Sequence, residues 1–344
     1  MDAIVKPARQ KGLELVRKEV PKINFGEALV KIRYTAICGT DVHIYDWNDW
    51  AQDTIVPPLT VGHEFVGEIV EIKGGDDSFK VGDLVSAEGH IVCGKCRNCR
   101  AGRRHLCPNT KGLGVNRDGI FAEYAAIPIS NLWLCDKDIP EKYYAIFDPL
   151  GNATHTALKF GLVGEDVLIT GAGPIGIMAA AIARHVGAKN VVITDINDDR
   201  LALAKEVCGK TITTVNTLAT SLGEVQRSLG MREGFDVGLE MSGSGAALSD
   251  MIDNMIMGGK IALLGIQGKN APVDWNKIIF NMLTLQGIYG REVFETWHKM
   301  TAMLKSGLDI SKIITHEIKY EDFESGFAAM HGGKAGKVIM DWTK

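Results

Sequence analysis

A glycine-rich string lies where the residue pattern changes from a buried strand to a helix. Residues 171–176 read Gly-Ala-Gly-Pro-Ile-Gly, which is a G-x-G-x-x-G string. The apolar run 167–170 precedes it, and the alanine- and isoleucine-rich segment 174–186 follows it with a helical pattern. A strand, a glycine-rich turn and a helix in this order predict the first βαβ unit of a dinucleotide-binding sheet.

The second half of the chain continues this alternation of strands and helices. A second helix is predicted at 199–207. Further apolar runs of strand length follow the first one at 191–194, 212–215, 237–239, 261–264 and 285–288. Together these runs predict a doubly wound parallel sheet with intervening helices. A helix at 296–306 and a mixed tail come after the last strand, and we expect this tail to pack back on the first half.

The first half of the chain has a different character. Short β-rich segments at 28–34, 65–72 and 124–127 alternate with breaks such as Pro57-Pro58. Short strands at this spacing predict a β-barrel or a sandwich-like unit. The whole chain is therefore expected to be an α/β protein with a β-rich domain followed by a parallel-sheet domain.

The glycines of the string each have a predicted role. Gly171 allows the tight turn, Gly173 lets the backbone approach a pyrophosphate, and Gly176 lets the helix pack close to the sheet. The pyrophosphate would meet free N–H groups at the positive end of the helix dipole. Flavins and methyl donors also bind folds of this kind. FAD proteins usually carry the motif near the N-terminus, so a nicotinamide dinucleotide is the prediction here.

Asp195 ends the next predicted strand, nineteen residues after Gly176. A carboxylate at this place accepts both ribose hydroxyls and repels a 2′-phosphate, which predicts NAD rather than NADP. Arg200 has two interpretations that the sequence leaves open. It either contacts the adenine or ribose, or it is a solvated helix residue.

Four of the seven cysteines stand close together in the pattern C-x2-C-x2-C-x7-C. They are Cys93, Cys96, Cys99 and Cys107. Four thiolates at this spacing predict a closed, structural zinc site with no position left for a substrate. An iron–sulfur cluster is the main alternative, because Pro108 follows the last cysteine as in bacterial ferredoxins; the last gap is longer here, however, and the sequence holds no second cysteine set. Disulfides are the remaining alternative.

Composition and charge exclude several classes of protein. The chain has 344 residues, 46% of them hydrophobic and 23% charged, which is typical of a globular protein with two or three domains. Its net charge of −4 argues against a nucleic-acid surface. No apolar run reaches the length of a membrane helix, and the N-terminus does not resemble a signal peptide. We expect a cytoplasmic protein, in which thiols stay free for metal.

A second group of metal-binding residue types lies in the first half. Cys38 begins the string Cys-Gly-Thr-Asp-Val-His, and His63 stands in Gly-His-Glu. Each residue alone has an ordinary structural interpretation. As a pair they are good zinc ligands, and a catalytic zinc site keeps three protein ligands and one open position.

These motifs occur in the order found in the zinc-dependent medium-chain alcohol dehydrogenases, and the chain resembles that family over essentially its whole length. Longer segments resemble the branch of the family that oxidises L-threonine. They are 43–47, 147–153, 287–292 and 294–297.

The resemblance implies a domain plan. It consists of a GroES-like catalytic domain at 1–150 with a structural zinc lobe at 93–107, a Rossmann NAD-binding domain at 151–293, and a C-terminal segment at 294–344 that returns to the catalytic domain.

The resemblance also implies that Cys38, His63 and Glu64 bind a catalytic zinc. Neighbouring residues on a strand point to opposite faces, so His63 and Glu64 share one metal only if the chain turns between them. Asp148 is the other acidic candidate, and we expect it beside the ligands, as a proton-relay group or a partner of the ligands. Asp41 is expected to orient a ligand or the loop.

Further positions match the family's proton relay and cofactor site. Thr40 and His43 match the relay, in which a histidine that titrates near neutral pH passes a proton to solvent. Six positions match residues that line NAD in the family: Ile175, Leu264, Gly265, Ile266, Ile288 and Tyr289.

The reaction that the resemblance implies is NAD-dependent oxidation of L-threonine at C3 to 2-amino-3-oxobutanoate, on the route from threonine to glycine. Zinc serves as the Lewis acid, and the nicotinamide accepts the hydride. The resemblance further implies two zinc ions per subunit and a homotetramer. The sequence does not fix how the amino and carboxylate groups of threonine are held, although Arg291 is a candidate for the carboxylate.

Three other interpretations compete. A sibling dehydrogenase acting on a polyol or a secondary alcohol would use the same metal and cofactor residues. A zinc-dependent nucleic-acid or adaptor protein would use the basic residues at 95–104, but the acidic balance and the intact reactive motifs oppose it. A quinone reductase of the same fold would lack the four cysteines and the Cys38–His63 pair.

Overall fold

The computed structural model describes residues 1–75, 77–268, 271 and 273–343. It divides into two compact units, one of residues 1–148 with 314–344 and one of residues 149–313. The strands, in chain order, are β1 (Asp2–Lys6), β2 (Glu14–Arg17), β3 (Glu27–Ala36), β4 (Leu59–Thr60), β5 (Glu64–Lys73), β6 (Leu84–Ala87), β7 (His90–Ile91), β8 (Lys111–Gly112), β9 (Tyr124–Pro128), β10 (Leu132–Leu134), β11 (Asp166–Thr170), β12 (Asn190–Asp195), β13 (Thr213–Asn216), β14 (Phe235–Glu240), β15 (Met255–Leu263), β16 (Thr284–Gly287), β17 (Ile314–Lys319) and β18 (Lys337–Asp341). The α-helices are α1 (Gly39–Asp46), α2 (Asp49–Thr54), α3 (Arg97–Arg100), α4 (Glu141–Tyr144), α5 (Phe147–Ala157), α6 (Pro174–His185), α7 (Asp198–Cys208), α8 (Leu222–Ser228), α9 (Gly245–Asp253), α10 (Trp275–Phe280), α11 (Glu295–Lys305) and α12 (Phe323–His331).

The first unit is the β-rich unit that its sequence pattern predicts; its strands pair antiparallel except for β17 and β18, which pair parallel. Its main sheet has the order β10-β6-β5-β3-β18-β17, with β9 also paired to β3. A three-stranded sheet β2-β1-β4 and the small ribbon β7-β8 complete it. The long strand β3 is the centre of the main sheet, because it pairs with β5, β9 and β18. Its buried side chains form one core with the aromatic residues Phe65, Phe121, Phe327 and Trp342.

The end of the chain is an integral part of this first unit. Strand β18 pairs antiparallel with β3, and Ile339 lies opposite Ala36. The indole N–H of Trp342 donates to the Thr35 hydroxyl at 2.9 Å. The Trp342 ring also stacks on Tyr320 at 4.2 Å between centroids. The return of the tail to the first half therefore rests on a sheet pairing as well as on apolar contact.

The returning segment begins later in the structure than the predicted residue 294. Helix α11 lies in the second unit, and the return starts at Ile314. The reason is the burial of Trp297 and Met300, each 0% exposed. Met300 packs beside Gly151 of the same unit, which holds the helix there.

The second unit is the predicted doubly wound sheet. Its six strands have the order β13-β12-β11-β14-β15-β16, and every pairing is parallel. In sequence order this is 3-2-1-4-5-6, the arrangement of a dinucleotide-binding fold. All five residues of β11 are buried, as expected for a central strand covered on both faces. The carboxyl ends of β11, β12, β14, β15 and β16 lie at one edge of the sheet, where ligands bind in such folds.

Among the described residues, no helix is both long enough and apolar enough to cross a lipid bilayer.

Gly67 offers a test of the pairing between β3 and β5. A Cβ atom at this position would lie 2.5 Å from the backbone oxygen of Lys31, which cannot rotate away. We expect Gly67→Ala to destabilise the protein by about 1–3 kcal/mol, the usual cost of overpacking. Unfolding midpoints in denaturant measure the change.

Gly161→Ala is the matched control, because a Cβ there meets no atom within 4 Å. Equal midpoints for the two variants would contradict the close approach of β5 to β3.

Candidate metal centres and dinucleotide site

The four clustered cysteines converge in the lobe between β7 and β8. Their sulfur atoms all lie within 4.8 Å of one another. Cys107 and Cys93 are separated by 3.6 Å between sulfurs. That distance is too long for a disulfide, whose S–S bond is about 2.05 Å. It is close to the separation of about 3.8 Å that a tetrahedron with Zn–S bonds of about 2.3 Å requires.

Backbone N–H groups prepare some of these thiols for a cation. The N–H groups of Lys95 and Cys96 lower the pKa of Cys93 to about 6. Enclosure, together with the neighbouring sulfurs of Cys96 and Cys107, raises the pKa of Cys99 to about 12. Without a metal the set therefore mixes thiolate and thiol. A zinc ion would displace the remaining protons, since only thiolates bind it.

The second candidate centre lies where α1 and β5 begin. Ligand atoms of Cys38, His63 and Glu64 lie within 4.8 Å of one another. Cys38 is the residue before α1, and Glu64 is the first residue of β5. Gly62 has a φ of 87°, and a Cβ there would overlap the Phe121 ring at 2.1 Å. The chain thus turns at Gly62, and His63 precedes the strand, which meets the condition for His63 and Glu64 to face one metal.

Asp41 lies beside one nitrogen of His63. Its Oδ2 accepts the N–H of Cys38 at 2.9 Å. Its Oδ1 lies 3.8 Å from Nδ1 of His63, and the carboxylate is fully buried. This separation is that of an ion pair and not of a hydrogen bond, and we expect Nε2 of His63 to be the nitrogen that faces a metal. Burial by itself lowers the pKa of His63, but the charges of Cys38, Asp41 and Asp148 outweigh it and raise that pKa well above its usual value.

A buried lysine reaches the same centre from the far end of the chain. Nζ of Lys337, at the start of β18, lies 2.7 Å from Oε2 of Glu64 and donates to the backbone oxygen of Ile37 at 2.8 Å. The sequence analysis did not find this residue. The only available signal was a lysine that begins the buried run Lys-Val-Ile-Met.

The charge of this centre fits a divalent cation. Cys38, Asp41, Glu64 and Asp148 supply acidic groups. Burial raises the pKa of Asp41 and of Glu64, and the positive charges of His63 and Lys337 oppose this rise. Within the described residues, Oε1 of Glu64 is buried and has no hydrogen-bond partner. A thiol, an imidazole and a carboxylate whose ligand atoms converge in this way are ligand types that zinc binds.

Asp148 lies beside the ligand set rather than in it. It is 9% exposed and belongs to the first turn of α5. A Cβ on Gly89 would lie 3.4 Å from its Oδ2 and 3.6 Å from Cβ of His63, which places the three residues together. The Asp148 carboxylate is not one of the atoms that converge with Cys38, His63 and Glu64. Its assignment as a relay group or a partner of the ligands stays a prediction.

The two predicted relay residues lie on α1. Thr40 is half-buried and His43 is exposed. Residues three apart on a helix lie on the same face, so the two side chains are neighbours there. Nδ1 of His43 lies 2.9 Å from the amide nitrogen of Asn48.

The glycine-rich turn has the form that a pyrophosphate needs. Gly171 has a φ of 91°, and a Cβ on Gly176 would lie 1.9 Å from the backbone oxygen of Gly171. The fold itself therefore requires both glycines. At Gly173, the residue before α6, a Cβ would meet no atom within 4 Å. The space beside Gly173 is open at a helix N-terminus, as expected for a site where a phosphate approaches the backbone.

Asp195 lies at the end of β12 against this turn. Its Oδ2 accepts the N–H of Ala172 at 2.8 Å, and its Oδ1 accepts the N–H groups of Ile196 and Asn197 at 2.8 and 3.0 Å. Nη1 of Arg200 lies 3.8 Å from Oδ2. Oδ2 thus keeps a lone pair for a ribose hydroxyl, and Arg200 is close enough to join the same contact.

Five of the six positions predicted to line NAD come directly after β15 or β16. The N–H groups of Leu264 and Gly265 both donate to the backbone oxygen of Glu240. Ile266 and Tyr289 are 94% and 61% exposed, whereas Ile288 is 8% exposed. The remaining position, Ile175, is half-buried in the first turn of α6. Exposed apolar side chains after two adjacent strands are suited to contact a planar ring.

Glu240 supports this edge and was missed by the sequence analysis. Its Oε1 accepts the N–H groups of Ser242 and Gly243, both at 2.9 Å. Its Oε2 accepts from the side chain of Gln267 at 2.8 Å. A glutamate at the carboxyl end of an apolar strand was the signal that could have revealed it.

Arg291, the candidate for a substrate carboxylate, is enclosed in the second unit. It is 2% exposed, and its guanidinium donates to Oδ1 of Asn152 at 3.2 Å. Its side chain also fills the space above Gly151. This burial argues against a direct contact with substrate.

A parallel dinucleotide-type sheet, a closed site of four thiols and an open Cys-His-Glu site together define a zinc-binding dehydrogenase. Family models agree with this class. The model of the alcohol dehydrogenase GroES-like domain matches residues 24–137, and the model of the zinc-binding dehydrogenase matches residues 174–306. The chain belongs to the zinc-dependent medium-chain alcohol dehydrogenase family.

Known relatives place the chain within that family. A Burkholderia lata protein named L-threonine 3-dehydrogenase is 60% identical over 343 residues and is covered completely, as is this chain. A Burkholderia mallei protein of the same name is 60% identical over 100% of this chain and 99% of its own length.

Solved structures share the fold at lower identity. The Thermus sp. ATN1 alcohol dehydrogenase has a TM-score of 0.90 at 26% identity and covers 99% of both chains. An Escherichia coli CFT073 alcohol dehydrogenase, solved with NADH, has a TM-score of 0.88 at 26% identity with the same coverage.

Cys107→Ser tests the closed site. Loss of one of four thiolates is expected to lower the zinc content by one ion per subunit and to make the lobe 93–107 sensitive to proteolysis. The rate of any reaction at the separate Cys38 site should change much less. Metal analysis and limited proteolysis measure these effects, and unchanged zinc content would contradict the four-thiolate site.

Asp195→Ala tests the dinucleotide site. Loss of the ribose acceptor is expected to weaken NAD binding by about 10- to 100-fold, the equivalent of about 1.4–2.8 kcal/mol. NADP binding should change less, because the repulsion of its 2′-phosphate is removed as well.

Asp198→Ala is the matched control, since Asp198 contacts Asn216 rather than the glycine-rich turn. Titrations of both cofactors with both variants decide the matter. Equal losses for NAD and NADP in Asp195→Ala would refute the ribose contact.

Proposed function

We propose that this chain oxidises L-threonine at C3 to 2-amino-3-oxobutanoate with NAD, using a zinc ion held by Cys38, His63 and Glu64. The observation that carries this proposal is the 60% identity, over the full length of both chains, with proteins named L-threonine 3-dehydrogenase. The convergence of the three ligand residues supports the same reaction. The four cysteines supply a second, structural zinc in this proposal.

The residues of the open site have complementary tasks. When bound, zinc supplies Lewis acidity that makes the substrate hydroxyl more acidic. Cys38 and His63 would hold the metal, and the negative charge of Asp41 beside Nδ1 would favour the ring orientation in which Nε2 faces it. The buried pair of Glu64 and Lys337 lets Glu64 bind the metal or remain with the lysine. Glu64 can thus leave the metal and give its place to another ligand, because its buried carboxylate is then still paired with Lys337.

Proton removal is assigned to α1. The Thr40 hydroxyl can accept a proton and donate its own, which suits it to connect a buried substrate hydroxyl with His43. His43 is exposed and can release the proton to solvent. Asp148 adds a negative charge beside His63, and we assign it to the orientation of the ligands or to the relay.

The second unit holds the oxidant. The open space at Gly173 and the N-terminus of α6 receive the pyrophosphate, and Asp195 accepts the ribose hydroxyls, with Arg200 beside it. Ile175, Leu264, Gly265, Ile266, Ile288 and Tyr289 line the cofactor. The hydride chemistry belongs to the nicotinamide, and the protein orients it.

Location and assembly are further parts of the proposal. All seven cysteines, each within the described residues, are free thiols, which supports a reducing cytoplasm. A homotetramer is expected from the resemblance alone, and light scattering of the purified protein would test it.

Absorbance of NADH on adding L-threonine and NAD tests the reaction. Threonine is expected to give a kcat/KM at least about 100-fold above those of sorbitol and 2,3-butanediol, because an enzyme that binds the amino and carboxylate groups of its substrate rejects compounds that lack them. A preference for either polyol would instead favour a sibling dehydrogenase.

Cys38→Ser tests the catalytic metal. Removal of this ligand is expected to lower kcat/KM by at least about 100-fold. Loss of a residue that only supports a metal ligand already costs up to about 100-fold, and loss of the ligand itself should cost more. Cys208→Ser, outside both metal clusters, is the matched control and should retain activity within about twofold. Full activity of Cys38→Ser would refute the proposed site.

A further inference from the structure

The chain folds back immediately after the helix that carries His43. Trp47 follows the last residue of α1 with φ 56° and ψ 44°, a left-handed conformation. The next N–H, that of Asn48, points back to the backbone oxygen of His43 at 3.4 Å. This reversal brings the side chain of Asn48 against the His43 ring, five residues earlier.

Asn48 is also the residue before α2, and this second role fixes the orientation of its amide. Its Oδ1 accepts the N–H of Ala51 at 3.0 Å. A backbone N–H can only donate, so the atom that faces it must be the amide oxygen. The other amide atom, Nδ2, is therefore the one that lies 2.9 Å from Nδ1 of His43.

The amide nitrogen of asparagine can only donate, so Nδ1 of His43 must be the acceptor in this contact. We infer that Asn48 is a positioning residue that holds neutral His43 in the tautomer with its proton on Nε2. This assignment follows from two contacts of one amide and requires no knowledge of the reaction.

The tautomer of His43 also affects the proton relay, and this consequence rests on the proposed function. In this tautomer Nδ1 is the only basic nitrogen of the ring, and the Asn48 amide covers it. A proton from Thr40 can enter the ring only when the contact between Asn48 and His43 breaks. It then binds Nδ1, and the Nε2 proton leaves to solvent, so the protons balance. Asn48 thus limits the relay until it moves.

Replacement of the Asn48 amide by a carboxylate should reverse the tautomer of His43. Asn48→Asp keeps an oxygen for the N–H of Ala51 but presents an acceptor to His43. The ring is then expected to carry its proton on Nδ1 and to expose a basic Nε2. An asparagine that replaces the aspartate of a serine-protease triad holds the wrong tautomer in the same way.

Long-range ¹H–¹⁵N correlation spectra of the histidine rings test the tautomer directly. His43→Gln identifies the His43 signals among those of the nine histidines. The wild-type protein is expected to show unprotonated Nδ1 and protonated Nε2, and Asn48→Asp is expected to show the reverse. A protonated Nδ1 in the wild type, or an unchanged pattern in Asn48→Asp, would overturn the inference.

Gln52→Glu is the matched control. It makes the same change from amide to carboxylate on α2, where Gln52 contacts the backbone oxygen of Trp47 instead of His43. Its His43 spectrum should equal that of the wild type. A tautomer change in Gln52→Glu would show that added charge alone, rather than the contact with Asn48, decides the result.

Single-turnover proton release with threonine and NAD tests the consequence for the relay. Asn48→Asp is expected to accelerate it at least about threefold, with the KM for threonine within about twofold. The basic nitrogen of the ring is then Nε2, which the side chain at position 48 does not cover, so the proton from Thr40 binds Nε2 without a contact having to break, and the Nδ1 proton leaves instead. An unchanged rate would refute the limit on the relay. If the wild type fails to oxidise threonine while the spectra are as expected, the proposed function fails and the tautomer assignment stands.

Discussion

The buried pair of Glu64 and Lys337 joins the end of the chain to the candidate catalytic centre. Both side chains are at most 4% exposed, and their charged atoms are 2.7 Å apart. Removing one partner of such a pair commonly costs about 3–5 kcal/mol, because the other is left charged and unpaired. The pairing of β18 with β3 places Lys337 beside Glu64 and so brings a positive charge to the acidic groups around His63. The sheet pairing of the last strand and the charge balance of the candidate metal centre are therefore coupled through this pair.

The same centre shows how charge prepares a site for a metal. Asp41, Asp148 and Cys38 surround His63, and together they raise its pKa well above the usual value despite burial. A divalent cation relieves this excess of negative charge. The four-cysteine lobe is prepared for a metal in a different way, because backbone N–H groups stabilise the thiolate of Cys93. The two sites therefore share a ligand chemistry, but only the Cys38 centre combines a metal site with an exchangeable carboxylate.

Local patterns in the sequence predict much of this molecule. The strand–turn–helix context of Gly171 and Gly176 predicts the parallel sheet, because only glycine fits those two positions. The spacing of the four cysteines predicts their convergence, since all lie on one short lobe. The motifs around Cys38 and His63 predict a metal site only through their combination and through the resemblance to a family.

Contacts between distant or unremarkable residues are not visible in the sequence. Lys337 lies far along the chain from Glu64, and a lysine in an apolar run gives no sign of its partner. Glu240 and Asn48 act through the orientation of single oxygen and nitrogen atoms, which depends on backbone geometry rather than residue pattern. The start of the returning segment at Ile314 likewise depends on the burial of Trp297 in the second unit.

Anomalous diffraction at the zinc absorption edge, on crystals of the zinc-replete protein, is the most direct measurement of the two-centre arrangement. Two peaks per chain are expected. One should lie among Cys93, Cys96, Cys99 and Cys107, and the other within bonding distance of Cys38 and His63 with Glu64 beside it. A single peak at the cysteine lobe, with none between Cys38 and His63, would contradict the assignment of the catalytic metal.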